Sequence, residues 1–467
     1  MTLNNARLLR GSEDVLVSPT FKSVSDDEIF DFVRNQLDHP SVNEDLRNIE
    51  EDNLSKFGPR SIAIPWKERK ESLYAYFHHN DSDAELIQVG AEAEGPGRLR
   101  PADLSHAVRN LVKASSSGLP YMTRKGNVLT EASRDWQDQE LRTRYPCVLY
   151  TRTQEERKTR NVWGFPVLDT LSEQRYFIPW LTAEKRLSFR SALSGPDSVD
   201  TAISKLLRQK EPDDMVFCID FSNFDSSISP HLIKAAFSFV SSYFQRHYID
   251  ELRALCDRFI NIPIFTPDGE ITGPHGVPSG SSFTNSIDSI VQYIISNVPS
   301  NKCQIQGDDG VYVVKAKRRD ELIDEFREND LTVNESKSRT FKGHNAVYLQ
   351  RYYSEEYPSI DGAGLGGVYP IARALNRIKY LERWTDFERN EIGGSDFFSL
   401  RTIMILETCK HHPRFQQLVR YCQKLDKYGL KFSSQGVNAY SKMLEPRIKA
   451  GVFHLSLIHI SEPTRPY

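Results

Sequence analysis

Hydrophobic positions along the chain change period several times, and each change marks an element. In 215–221 (MVFCIDF), Met215, Phe217, Ile219 and Phe221 fall on one face and Val216, Cys218 and Asp220 on the other, the period of two that a strand requires. Ile305, and then Val311, Tyr312, Val313 and Val314, give two apolar runs of β-branched and aromatic character, and Gly307 and Gly310 between them supply a turn. The expectation is a β-hairpin with Asp308 and Asp309 at its tip. Helical spacing predicts helices in 29–37 (IFDFVRNQL), in 66–77, and in 231–248, where Ile233, Ala236, Phe237 and Val240 share a face. Ile287, Ile290, Val291, Ile294 and Ile295 recur at helical intervals, so a helix opens near Thr284 to Ser286. Leu322, Ile323 and Phe326 form another such face. The PDGE at 267–270 reads as a hairpin turn, and 345–353 (NAVYLQRYY) as a strand or hairpin. From 371 to about 452 the pattern is helical and richer in Arg and Lys. The GAGLGG at 362–367 lacks the strand–loop–helix setting of a dinucleotide loop and reads as a flexible connector. His411 and His412, just before Pro413, are expected at the surface.

A length of 467 residues predicts about three domains or one multi-lobed body. No apolar run approaches the roughly 18 residues that would span a bilayer, and the first residues lack a signal-peptide core, so a soluble intracellular chain is expected. The six cysteines are scattered without metal-ligand spacing and are expected as reduced, buried thiols. A net charge of −3 argues against a globally basic nucleic-acid coat and leaves room for an internal positive channel. The final stretch, 456–467 (SLIHISEPTRPY), resembles translated adapter sequence. It is expected to be a non-native tail, with the natural C-terminus missing.

Chemistry concentrates in a few places. Two adjacent carboxylates on a tight turn repel unless a hard cation such as Mg²⁺ lies between them, although Asp and Gly are also ordinary turn residues. Asp220 ends a buried strand, and Asp225 follows five residues later. The loop ASSSGLPYMTRKG offers hydroxyls, backbone N–H groups, Arg124 and Lys125 to a phosphate backbone, or is a plain surface loop. In YTRTQEERKTRNVWGFP, Arg152, Arg157, Lys158 and Arg160 suit phosphate binding, while Glu155 and Glu156 leave a solvated charged face as the alternative. The Gly/Ser loop GVPSGSS, just before a helix, is a favourable place for a phosphate or ribose.

In this order the segments resemble the palm of a viral RNA-dependent RNA polymerase. DFSNFD resembles the family's motif A, GVPSGSSFTNSIDS motif B, QGDDG motif C, ESKS motif D and VYLQR motif E; upstream, SSSGLP resembles motif G and ERKTR motif F. The likeness covers roughly 114–351 and looks closest to picobirnavirus polymerases, with the partitivirus group second.

The resemblance implies an α+β fold shaped as a closed right hand. An N-terminal arm and fingers would occupy 1–210, and a helical thumb 353–455. Between them, a palm over 211–352 would carry an antiparallel sheet flanked by helices and a fingers insertion around 240–270. It also implies that Asp220, Asp308 and Asp309 hold two Mg²⁺ ions, with Mn²⁺ as a substitute, and that Lys337 is the general acid for pyrophosphate. Arg160, Lys158 and Arg157 would grip the triphosphate. Asp225 would accept the ribose 2′-hydroxyl, supported by Ser279, Gly280 and Thr284. Where positive-strand polymerases carry Asn four residues after that threonine, this chain has Asp288, so either Asn285 or Asp288 completes the pocket. Ser116, Ser117, Gly118, Arg124, Lys125 and Arg351 are the expected RNA contacts. The implied partners are RNA template and product, NTPs and a viral capsid protein, with no membrane, in the virion interior and host cytoplasm. A reverse transcriptase would carry an aromatic ribose gate where Asp225 stands, and the intact aspartates disfavour a catalytically silent RNA-binding or capsid-associated protein.

Overall fold

Ten strands form among the described residues. They are β1 (Cys147–Thr153), β2 (Thr159–Gly164), β3 (Asp214–Ile219), β4 (Ile264–Thr266), β5 (Gly269–Ile271), β6 (Cys303–Gln306), β7 (Asp309–Lys315), β8 (Arg339–Phe341), β9 (Ala346–Tyr348) and β10 (Arg351–Tyr353). The computed structural model describes residues 2–79, 95–388 and 390–449, so the 456–467 tail lies outside the described residues.

The central sheet has the order β6-β7-β3-β8, antiparallel throughout. The period of two sorts its side chains cleanly. Phe217, Ile219, Tyr312 and Val314 join the large core built on the helices Pro230–Ser242 and Thr284–Ser296. Val216, Cys218, Val311 and Val313 face the other way, against the helix Pro196–Arg208 and the β9–β10 hairpin. Each fully buried side chain of this kind contributes about 1.5–3 kcal/mol, which fixes the register.

A second sheet, β2-β1-β4-β5, lies in the fingers region. β4 pairs parallel to β1, so a hairpin that follows β3 in sequence returns to the sheet made by the preceding half. The β4–β5 hairpin lies at 264–271, at the end of the stretch where an insertion is expected. The helix expected over 231–248 stops at Ser242, where the chain turns to pair with the 97–99 segment: Gly97 N–H donates to Ser242 C=O at 3.1 Å, Leu99 N–H to Tyr243 C=O at 2.8 Å and Gln245 N–H to Leu99 C=O at 3.1 Å.

The N-terminal arm touches both ends of the molecule. Helices Asp26–Leu37, opened by a Ser25/Glu28 capping box, and Glu44–Ser55 pack on the thumb helix Ile371–Lys379. Leu8, Trp66 and Leu73 pack instead on Cys147, Leu149 and Trp163 of the fingers sheet. Three further helices, Gly394–Glu407, Phe415–Leu425 and Ser434–Lys449, complete the thumb.

The surface expectation for His411 and His412 is overturned. His412 is buried with its Nε2 at 3.1 Å from Glu50 Oε1, and that carboxylate accepts the Ile371 and Ala372 N–H groups at 2.7 and 2.9 Å, capping the thumb helix. His411 Nε2 lies 3.3 Å from the buried Asp200 Oδ2. Both partners are more than 200 residues away in sequence, which is why a local reading missed them. The GAGLGG stretch forms a connector without helix or strand, as expected. All six cysteines are free and buried. Among the described residues no helix is long and apolar enough to cross a membrane.

Candidate active site

The antiparallel register carries Asp220 to the aspartate turn. Ile219 pairs with Gly310, so the next residue of β3 stands beside Asp309, and Gln306 pairs with Asp309 across the hairpin. Gly310 permits this approach, since a Cβ there would lie 2.3 Å from Gln292 Oε1 and 2.9 Å from Ile219 Cγ2. Gly307 takes a positive φ of 66° to make the turn. Asp308 is exposed at the tip, while Asp309 and Asp220 are half-buried.

The three carboxylates crowd one another. Burial, then Asp308 and Asp220, pushes the Asp309 carboxyl up to about 7, against Arg373 and Arg160. Burial also raises Asp220, with Asp308 adding to the rise and Lys337, Lys158 and Lys56 opposing it. Such mutual repulsion is what a bound cation relieves. Among the described residues no three or more His, Cys, Asp or Glu side chains are gathered closely enough to hold a metal ion by themselves, so a cation here would need further ligands from water or substrate. Open, all-oxygen ligation fits Mg²⁺, which keeps waters and shares its shell with substrate phosphates.

Cations surround this centre. The loop after the helix Ala316–Glu328 is tied to Asp220 on both sides: Asp220 N–H donates to Ser338 Oγ at 3.0 Å and Asn334 N–H donates to Asp220 C=O at 2.8 Å. Lys337 lies within that tied loop. Desolvation first, then Arg160 and Lys337, lowers the Lys158 ammonium, while Asp220 and Asp308 hold it up. β1–β2 pairing sets Arg152 directly opposite exposed Arg160, a like-charged pair that favours an anion between them. Arg157 is drawn away: it pairs with Glu13 of the N-terminal segment, in an αL turn position with φ 56°.

Of the two alternatives for the ribose pocket, Asp288 is the one buried near Asp225. Asp288 is buried, its Oδ1 has no hydrogen-bond partner, and burial followed by Asp225 and Asp308 raises it well above the carboxylate range. Asp225 is pushed up to about 6 by desolvation and then by Asp308, against Arg160. Asn285 is exposed and its Oδ1 already accepts from Arg190 at 2.8 Å. Ser279 is fastened to β2, donating to Asn161 C=O at 3.3 Å and accepting from Trp163 N–H at 3.4 Å. Thr284 closes its own loop on Pro278 C=O at 2.7 Å. Gly280 fits because its Cβ would lie 1.6 Å from Trp163 O. These three residues therefore shape the loop that borders the pocket.

Two of the expected RNA contacts, Ser117 and Gly118, are buried. Ser117 is buried and bonds the Thr123 backbone at 3.0 Å, and buried Gly118, at φ +61°, leaves no room for a Cβ beside Phe165 O at 2.6 Å. Lys125 points toward Glu173, and burial lowers its ammonium to about 8. Arg351 faces the buried Asp200, which also accepts from Tyr353 at 2.9 Å. Ser116 and Arg124 remain half-exposed. The Ser117 hydroxyl, which looks available in sequence, is used within its own loop.

Several site residues carried no local signal. Lys56 of the arm acts on Asp220, Arg373 of the thumb on Asp309, and Tyr76 lies beside Asp225 and Asp288. Glu173, raised to about 7 by burial, holds the loop before the helix Thr284–Ser296 through Ser281 Oγ at 2.6 Å and Ser282 N–H at 2.8 Å. Arg190 is fully buried behind the aspartate turn.

The family model for viral RNA-dependent RNA polymerases matches residues 98–363, more than half the chain. The potential RNA-dependent RNA polymerase of human picobirnavirus is 26% identical over 473 residues, covering 92% of this chain and 86% of that protein. The RNA-directed RNA polymerase of Cryptosporidium parvum virus 1 is 30% identical over 225 residues, 42% of this chain and 40% of that one. The crystal structure of a human picobirnavirus RNA-dependent RNA polymerase superposes with a TM-score of 0.82 at 24% identity, covering 96% of this chain and 91% of that one. Its insertion-loop deletion mutant gives 0.79 at 25% identity, covering 97% and 94%. With the strand-end carboxylate, the aspartate turn and the cations around them in this arrangement, the chain belongs to the viral RNA-dependent RNA polymerases, a family of nucleotidyltransferases.

Proposed function

We propose that the chain extends RNA on an RNA template from ribonucleoside triphosphates, with two divalent cations held by Asp220, Asp308 and Asp309. The observation that carries this reading is the register that sets Asp220 beside the aspartate turn. Mg²⁺ bound there supplies activation of the primer 3′-hydroxyl and neutralisation of the triphosphate. Arg160 and Lys158 grip the phosphates, and the Arg152–Arg160 pair adds a second fork. Lys337, in the loop tied to Asp220, donates a proton to the departing pyrophosphate. Asp225 and Asp288 share one proton, so the pair accepts one hydrogen bond from the ribose 2′-hydroxyl without two adjacent full charges.

Kinship with picobirnavirus proteins supports a role in genome replication and transcription of a double-stranded RNA virus. On this reading synthesis takes place in the virion interior and host cytoplasm, with the capsid protein as a partner. The test is incorporation of labelled NTPs and dNTPs on an RNA template with and without Mg²⁺, comparing wild type with Asp308→Asn. Ribonucleotide-selective, metal-dependent synthesis that falls at least about 10³-fold in the variant supports the reading. Folded wild type that binds RNA and incorporates nothing overturns it in favour of a silent RNA-binding protein.

A further inference from the structure

We propose that Arg190 is a positioning residue for nucleotidyl transfer, locking the turn that carries Asp308 to the first turns of the helix that borders the ribose pocket. The proposal rests on the polymerase reading above. Arg190 lies between the helices Val167–Glu184 and Pro196–Arg208, with no side-chain exposure. Its guanidinium is divided between two elements. Toward the hairpin, Nη1 donates to Ile305 C=O and to Gln306 Oε1, each at 2.9 Å. Toward the helix, Nη2 donates to Asn285 Oδ1 at 2.8 Å, and Nη1 donates to Ser289 Oγ.

Ser289 completes the bridge. Its hydroxyl accepts from Arg190 and from Gly307 N–H at 2.7 Å and donates to Asn285 C=O at 2.7 Å. Two lone pairs and one proton are then fully used. Asn285, Ser289 and Gln292 recur at i, i+4 and i+7, one face of the helix, and Gln292 Nε2 continues the contact to Asp308 C=O at 3.2 Å. Glu184 balances the charge: one oxygen accepts from Arg190 Nε at 3.0 Å and the other from Ser286 Oγ at 2.7 Å.

A buried ion pair of this kind is weak evidence for stability, because a packed apolar cluster would serve as well. What the guanidinium adds is direction, since a planar fork satisfies several acceptors only when all of them hold their places. Those acceptors lie within three residues of Asp308 on one side and in the opening turns of the helix on the other. A slip between the two elements moves the metal-binding carboxylates relative to Asp225 and Asp288.

The test uses the full chain with Arg190→Lys and Ser289→Ala beside wild type and Asp308→Asn. Arg190→Lys keeps a cation beside Glu184 and loses the fork, whereas Ser289→Ala removes only the bond to Gly307 and its two neighbours. Melting and RNA binding report the fold. The expected result is a kcat lower by about 10²-fold in Arg190→Lys and about 10-fold in Ser289→Ala, the scale of misplaced reacting groups. The Mg²⁺ concentration at half-maximal rate rises severalfold, the ribo-to-deoxy preference falls, and RNA affinity stays within about twofold. Amide exchange at Gly307 rises at least about tenfold in both variants, a readout independent of activity. Folded Ser289→Ala with wild-type Mg²⁺ dependence, ribose preference and Gly307 protection overturns the proposal, and it decides alone if Arg190→Lys does not fold. Wild type that shows no Mg²⁺-dependent incorporation overturns the polymerase reading and this proposal with it.

Discussion

At the aspartate turn the backbone is held from behind: Ile305 C=O by Arg190, Gly307 N–H by Ser289 and Asp308 C=O by Gln292. The basic hairpin opposite it is built otherwise. Its turn closes on itself, with Gln154 N–H bonding Lys158 C=O at 2.9 Å, and Glu155 anchors it to Arg60 at 3.2 Å and Arg373 at 3.3 Å, while Lys158 and Arg160 stay exposed. The acidic side is fixed before substrate arrives, and the cationic side can adapt to it. The reason is electrostatic. Carboxylates gathered for a cation must be held against mutual repulsion, whereas cations meant for a mobile triphosphate keep their rotamer freedom until it binds.

Breaking the rigid side should therefore cost the most. Asp220→Asn is expected to lower kcat by at least about 10³-fold with RNA affinity unchanged, measured by single-turnover incorporation. Lys337→Met should lose about 10²-fold in kcat in single-turnover incorporation, the scale of a lost general acid. On the adaptable side the loss should appear in binding: Arg160→Ala raises KM for NTPs by about 10-fold or more, the worth of one charged hydrogen bond, with a smaller change in kcat. Arg157→Ala, at a position engaged with Glu13 on the surface, should stay within about twofold in both parameters. An equal loss in the two arginine variants would erase the distinction between them.

The smallest test is thermal. The Asp309 carboxyl sits at about 7, raised by burial and then by Asp308 and Asp220. A raised carboxylate favours the folded state while neutral, so this contribution is complete below about pH 4 and is lost as pH rises through about 7. Metal binding needs the ionised form. Mg²⁺ should therefore raise Tm more near pH 8 than near pH 6, measured by scanning calorimetry, and Asp309→Asn should remove most of the difference.

What the sequence disclosed was local or periodic. The alternation in 215–221 and 311–314 located β3 and β7, and the helical repeat from Ile287 placed a helix start near Thr284 to Ser286, which the structure sets at Thr284. The aspartates were legible because turn chemistry brings them to a tip. Hidden were the contacts that close over long separations, such as Glu50 with His412, 362 residues apart, and Arg190 with Ile305, 115 apart. Ser117 misled at short range, since its hydroxyl looks available until the Thr123 carbonyl, six residues on in the same loop, is seen to accept it. That Asp288 is buried near Asp225 while Asn285 is exposed is a matter of burial, which no spacing supplies.

The anchoring of Glu155 has a topological consequence. Arg60 comes from the arm, Arg373 from the thumb, and the hairpin between them carries Lys158 and Arg160, so arm, fingers and thumb form a ring with the catalytic carboxylates inside. A nucleic-acid strand meets such a ring as a thread meets a needle's eye: it enters by an end or waits for two ion pairs to part.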